Sequence, residues 1–187
     1  MVSMETKYAG IKVAISAVRG SGKTTLLLGL VKALRDKGLE VKGVIEAGIF
    51  EGDKKIAIEM IDLNTGESRL LAKLAGETKT DLQFGDWTFY RETFHWANNR
   101  IVQADTMDVF VLDEVGPLEL KKKCGLQTGL EVMASNVFGL GIMTVRPKCL
   151  NALKDRFANI VVYSLKSWEK ESLKKELLRI AMLAITL

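Results

Sequence analysis

The residues best suited to chemistry lie in Ala17-Val18-Arg19-Gly20-Ser21-Gly22-Lys23-Thr24. Glycines at this spacing let successive backbone N–H groups turn inward as an anion nest, and a helix beginning at Lys23 adds the positive end of its dipole. This is the pattern of a Walker A loop, in which Lys23 reaches the β- and γ-phosphates of a nucleoside triphosphate such as ATP or GTP and the Thr24 hydroxyl ligates Mg2+. Ala17 to Thr25 is therefore the expected phosphate-binding segment, with the plain alternative that the glycines only cap a helix. The strict pattern opens with Gly where this chain has Ala17, so that position is expected to be extended or else strained. A second cluster closes the apolar run Val109-Phe110-Val111-Leu112, which ends in Asp113-Glu114. Strand-terminal acids are commonly surface charges. In a chain that also carries a Walker A loop they read as a metal-holding Asp113 and a Glu114 that orients or deprotonates an attacking water.

These groups need strands and helices to hold them. Lys12–Ser16 reads as a buried strand running into the glycine loop. From Lys23 to Lys37 the apolar residues Leu26, Leu27, Leu30, Val31 and Leu34 recur at helical spacing, and Gly38 stands where a left-handed cap belongs. Glu40–Ile45 is a second strand, joined through the helix and so expected to be parallel to the first. Lys55–Leu63 and Ser68–Leu74, separated by Asn64-Thr65-Gly66-Glu67, predict an antiparallel hairpin insertion over about residues 53–75. Residues 76–88 read as a polar loop and Phe89–Ala104 as a helix leading to the acidic strand. A helix over Leu126–Phe138, a strand over Leu140–Val145, a short helix over Cys149–Phe157, an edge or near-edge strand over Ile160–Ser164 and a closing helix over Ser167–Leu183 complete the pattern. The expected fold class is α/β: a three-layer P-loop fold with a mostly parallel twisted sheet, one domain over residues 1–187.

Composition narrows the function classes. The 187 residues are 48% hydrophobic and 27% charged, as in ordinary globular domains, and a chain this long can bury one core without staples. Two cysteines, Cys124 and Cys149, supply neither a disulfide framework nor a zinc site. Apolar runs such as Ile180–Ile185 fall far short of the roughly 18 residues that span a bilayer, and no signal-peptide pattern opens the chain. A reducing cytoplasmic location without membrane insertion is the expectation. The net charge of +4 is spread along the chain without a nucleic-acid motif, which argues against dedicated nucleic-acid binding; a protein partner and the oligomeric state stay open.

The P-loop, the hairpin insertion and Asp113-Glu114-Val115-Gly116-Pro117-Leu118-Glu119-Leu120 together resemble the P-loop nucleoside-triphosphatases first described from thermophiles, a family with a human cancer-related member. The resemblance runs over most of the chain, including Leu39–Gly43, Asp53–Ser68, Leu140–Pro147 and Val162–Ser172. It implies Mg2+-dependent hydrolysis of NTP to NDP and phosphate with loose base preference, with Lys23 and Glu114 catalytic, Thr24 and Asp113 at the metal, and Glu119 matching a second family glutamate. The chain departs from the family at three places: the first P-loop glycine is Ala17, a lysine is replaced by Pro117, and the acidic pair after the second strand falls on Ala47 and Gly48, leaving Glu46 beside them. Gly20–Ile45 also looks like the P-loop adaptor of molybdopterin-guanine dinucleotide biosynthesis, which fits DEVGPLEL poorly. A nucleotide-dependent adaptor with little hydrolysis and a small-molecule or nucleotide kinase are thus the alternatives to an NTPase.

Some features have a plain reading beside the sharp one. Six of the thirteen aromatic residues fall between Phe84 and Trp96, as core packing first and as a base-stacking wall or lid second. His95 reads as a surface residue. Arg19 and Arg146 are arginine-finger candidates, and Lys121–Lys123 and the lysines of the closing helix read as solvated faces.

Overall fold

The computed structural model describes residues 8–74, 82–102, 106–166 and 168–185. Its first strand, β1 (Ile11–Ser16), shows why a continuous apolar run was needed there: Val13 and Ile15 enter one hydrophobic cluster and Ala14 the other, so neither face meets water. After the glycine loop comes α1 (Lys23–Asp36), whose Leu26, Leu27, Leu30, Val31 and Leu34 are buried. Each such side chain removed from water contributes on the order of 1.5–3 kcal/mol, which fixes the helix, and hence the loop at its start, against the sheet. Gly38 ends the helix in the left-handed conformation with φ 81°, donating its N–H to the Arg35 carbonyl at 2.8 Å.

The remaining strands among the described residues are β2 (Val41–Glu51), β3 (Lys54–Asp62), β4 (Ser68–Leu74), β5 (Leu82–Phe84), β6 (Trp87–Phe89), β7 (Met107–Val115), β8 (Phe138–Val145) and β9 (Val161–Ser164). They form one nine-stranded sheet in the order β5-β6-β4-β3-β2-β7-β8-β1-β9. β2, β7, β8, β1 and β9 are parallel, and β9 is the edge. β2 continues beyond this parallel part to pair antiparallel with β3, and β4, β6 and β5 extend the antiparallel wing. The helices are α1, α2 (Arg91–Val102), α3 (Pro117–Leu120), α4 (Gln127–Ser135), α5 (Leu150–Arg156) and α6 (Lys170–Ile185). α1 and α6 cover one face of the sheet around Leu27, Leu30, Val111 and Leu177, whereas α2, α4 and α5 cover the other around Phe94, Phe110, Leu130 and Leu153. This is the three-layer α/β arrangement expected.

Several boundaries differ from expectation for local reasons. Leu82–Phe84 and Trp87–Phe89 are strands around a turn at Gly85, not loop; the 76–81 part of that expected loop lies outside the described residues. Phe89 pairs with Ala72 in the sheet, so the next helix begins at Arg91, and Ala104 lies outside the described residues. The helix expected to reach Phe138 stops at Ser135 because Asn136 turns left-handed and Phe138 opens β8. The closing helix begins at Lys170, and Ser167 is not among the described residues. At Gly43, where β2 passes β7, a Cβ would lie 1.9 Å from the Val111 carbonyl oxygen, so only glycine permits that approach.

Candidate active site

The loop between β1 and α1 turns through two left-handed glycines, Gly20 at φ 76° and Gly22 at φ 83°. Ala17 is buried and is not among the residues with positive φ, so the position that departs from the strict motif needs no glycine. Ser21 donates its hydroxyl to the Val18 carbonyl at 2.7 Å, tightening the turn. Val18, Arg19 and Gly20 are exposed at the loop, as is Thr25 on the first turn of α1. Lys23 is buried; its ammonium lies 3.3 Å from the Val18 carbonyl oxygen and 3.1 Å from Glu114 Oε1.

The acidic strand meets the loop at the carboxyl ends of β1 and β7, where α/β sheets bind ligands. Asp113 is fully buried. Its Oδ2 accepts from the Glu46 backbone N–H at 3.3 Å and from the Thr24 hydroxyl at 3.4 Å. Its Oδ1 accepts from the Glu114 backbone N–H at 2.9 Å and from the Thr144 hydroxyl. Burial, and next the charge of Glu114, push Asp113 up to about 6, against the opposing hydrogen bond from Thr144.

Glu114 is held in the left-handed conformation, with φ 53°, where a non-glycine residue is strained. The cause is a register shift between β7 and β8: Leu112 pairs with Met143 and Val115 with Val145, so Asp113 and Glu114 together stand opposite Thr144 alone. Thr144 secures the bulge by accepting the Glu114 N–H at 2.8 Å while donating its hydroxyl to Asp113. The Glu114 carboxylate is thereby aimed at the loop, with Oε1 on Lys23 and Oε2 accepting from Arg146 Nε at 3.3 Å.

The segment after the acidic strand is tied by Glu119. Its Oε2 accepts from the Gly116 N–H at 3.0 Å and its Oε1 from the Leu126 N–H at 3.2 Å, closing the loop around α3. Pro117 occupies the first helical position, where its missing N–H costs nothing.

The structure brings together Ala17–Thr24, which includes Arg19, with Asp113 and Glu114, and Arg146 reaches Glu114 from the end of β8. Thr144, Lys55 and Lys170 had no local sequence signal for a role here, and Glu46 had one only as the acid left beside Ala47 and Gly48. Thr144 lies inside an apolar strand, and only its register against β7 reveals it. Glu46 sits beside Asp113 and is pushed well above the usual carboxylate range by burial first and then by Glu114, Asp113 and Glu119. Lys55, from β3, shares the electrostatic environment of Glu46, Glu114, Asp113 and Arg19. Lys170, at the start of α6, also comes over the loop: a Cβ at Gly22 would lie 2.5 Å from its ammonium. The aromatic cluster is chiefly core, since Trp87, Phe89, Phe94 and Trp96 are buried and the Phe89 and Phe94 rings stack at 5.9 Å. A separate cavity of about 340 Å³, lined by Arg69, Glu92, His95, Trp96, Asn99 and Arg100, shares no residue with the P-loop.

Thr24 Oγ1 and Asp113 Oδ2 are hard oxygen donors of the kind Mg2+ prefers. Among the described residues no group of three or more His, Cys, Asp or Glu side chains forms a metal cage. The pair still fits Mg2+, which takes one or two protein oxygens and completes its shell with substrate phosphates and water.

The model of the family described as NTPase matches residues 12–178. The chain is similar to nucleoside-triphosphatase THEP1 of Methanocaldococcus jannaschii, with 27% identity over 170 residues, covering 90% of this chain and 95% of that one. It is 31% identical over 147 residues to nucleoside-triphosphatase THEP1 of Methanothermobacter thermautotrophicus, covering 78% and 82% of the two chains. Among solved structures it resembles the solution structure of a human cancer-related nucleoside triphosphatase, with TM-score 0.69 and 20% identity over 94% of this chain and 98% of that one. It also resembles the crystal structure of THEP1 from the hyperthermophile Aquifex aeolicus, with TM-score 0.67 and 18% identity over 91% and 99%. These two structural likenesses establish the fold.

Proposed function

This chain belongs to the NTPase family, and from that premise we propose that it is a nucleoside-triphosphate phosphohydrolase, Mg2+-dependent and of broad base preference. The observation that carries the proposal is the contact of Lys23 with Glu114 at the mouth of the glycine loop, with Thr24 and Asp113 beside it. Phosphoryl transfer asks the protein for positioning and charge stabilisation more than for covalent chemistry, and these four residues have the types for both.

In this reading the loop amides and the Lys23 ammonium bind the β- and γ-phosphates. Thr24 and Asp113 hold Mg2+, which when bound neutralises charge on the phosphate oxygens. Glu114, fixed by its bulge and by Arg146, accepts a hydrogen bond from the attacking water and keeps it aligned with the γ-phosphorus. Arg146 acts through Glu114 as a positioning residue. Loose base preference accords with a site whose converging groups are all suited to phosphate, metal and water. A nucleotide-dependent adaptor would have no use for a carboxylate strained into this position, so hydrolysis is favoured over that alternative.

The test is phosphate release from ATP, GTP, CTP and UTP, each with Mg2+ and with EDTA. Release from all four with Mg2+ and none with EDTA supports the full proposal. Release from a single nucleotide removes the broad base preference, release in EDTA removes the metal dependence, and no release from any removes the hydrolase reading.

A further inference from the structure

β2 outruns the parallel sheet and pairs with β3, turning back through Gly52, so the β2–β3 hairpin overhangs the carboxyl ends of the parallel strands. A register shift between Ile49 and Phe50 sets Lys55 opposite Phe50. From there the Lys55 stem lies across Gly48: a Cβ at Gly48 would fall 2.6 Å from Lys55 Cε and 3.2 Å from its ammonium nitrogen. Gly48 is not one of the glycines with positive φ, so its role is to leave room. The Lys55 ammonium sits 5.9 Å from the centre of the Trp87 ring, and the Arg19 guanidinium of the P-loop sits 5.7 Å from the same ring. One buried indole thus gathers a cation from the hairpin and a cation from the loop.

Through the shared Trp87 ring Lys55 is tied to the P-loop residue Arg19, and it lies in the field of Glu46, Glu114 and Asp113. Burial disfavours its charged form, and among the described residues no carboxylate forms an ion pair with it. A half-buried ammonium without an ion-pair partner, held beside the phosphate loop, suits an anion that arrives from outside the chain.

We propose that Lys55 is a further catalytic residue, a cation supplied in cis by the β2–β3 hairpin that contacts the γ-phosphoryl group of the bound nucleoside triphosphate. This rests on the P-loop being the triphosphate site, as argued above. Lys55 then neutralises charge on the transferring group, Trp87 positions it, and Gly48 keeps its path clear. A cation placed there distinguishes triphosphate from diphosphate, because only the former carries the group it touches.

The experiment compares wild type, Lys55→Met, Lys55→Arg and Gly48→Ala. It measures the affinity of each for a non-hydrolysable ATP analogue and for ADP by calorimetry with Mg2+, together with kcat and KM for ATP. For Lys55→Met we expect the analogue to weaken about tenfold or more while ADP stays within about twofold, and kcat to fall about 100-fold. Lys55→Arg restores most of both, and Gly48→Ala shifts both in the direction of Lys55→Met without removing a charge. Equal loss for ADP and the analogue, or no loss for either, overturns the proposal. If wild type binds the analogue but releases no phosphate, the hydrolase reading fails while the contrast between analogue and ADP still decides Lys55. Should Lys55→Met lose its thermal transition, Lys55→Arg and Gly48→Ala decide in its place: a folded Gly48→Ala with unchanged affinities and kcat overturns the proposal.

Discussion

The Lys23 ammonium and Glu114 Oε1 are 3.1 Å apart, so the cation of the glycine loop and the acid that ends β7 meet at one point in space. About ninety residues of chain separate the two segments, yet the parallel alignment of β1, β8 and β7 delivers both to the carboxyl end of the sheet. That contact is the geometric basis for treating the loop and the acidic strand as one site.

Replacing Lys23 by alanine removes the buried cation that the loop encloses. Affinity for Mg-ATP is expected to fall about 100-fold, equivalent to losing one or two charge-assisted hydrogen bonds. Calorimetry measures the affinity, and a circular dichroism melt checks that the fold persists. Unchanged affinity in a folded variant would show that the phosphates bind elsewhere.

Thr144 is the strut of the bulge. Thr144→Val preserves shape but deprives the Glu114 N–H of an acceptor and Asp113 of a donor. Stability is expected to drop by about 1–3 kcal/mol in urea denaturation, with kcat falling more than ATP affinity because Glu114 loses its fixed aim. Thr144→Ser, which retains the hydroxyl, should recover most of the loss. A Thr144→Val protein as stable and active as wild type would mean that the bulge holds without this hydroxyl.

The buried carboxyl of Asp113 gives stability a pH dependence. Its proton is held more tightly in the folded chain, at about 6 against 3.8 for a free side chain, so protonation favours the folded state. That contribution is complete below about pH 4 and is lost as pH rises through 6. Measured in EDTA, wild type should therefore lose on the order of 2 kcal/mol relative to Asp113→Asn between pH 4 and pH 7. Parallel stability curves for the two proteins would contradict the assignment.

What the sequence made legible follows from where its signals were local. The apolar run of β1, the 3.6-residue period of Leu26 to Leu34 and the strand ending in Asp113-Glu114 each stand in contiguous residues, so the fold class and the residues brought together at the loop could be read directly. β5 and β6 could not, because strands of three residues around Gly85 carry too little periodicity and owe their existence to pairing with β4. α3 is four residues long and is fixed by Glu119 rather than by propensity. Thr144 and Lys55 gain their meaning only from register and sheet order: a threonine in an apolar strand and one lysine among many look ordinary along the chain, whereas Glu46 is visible there only as the acid beside Ala47 and Gly48. Ala17 shows the converse, a departure from the motif that the loop accommodates without left-handed backbone.

If Glu114 orients the attacking water, Glu114→Gln should uncouple nucleotide binding from phosphate release. Single-turnover phosphate release and nucleotide titrations should be run side by side on wild type and variant, with Mg2+ and the nucleotide that wild type turns over best. Glutamine keeps the size and one carbonyl acceptor but cannot take a proton, so release should slow by about 100-fold or more, while Mg-ATP affinity stays within about threefold. A variant that binds nucleotide and releases phosphate at the wild-type rate would remove Glu114 from the chemistry and leave the water to be positioned by another group.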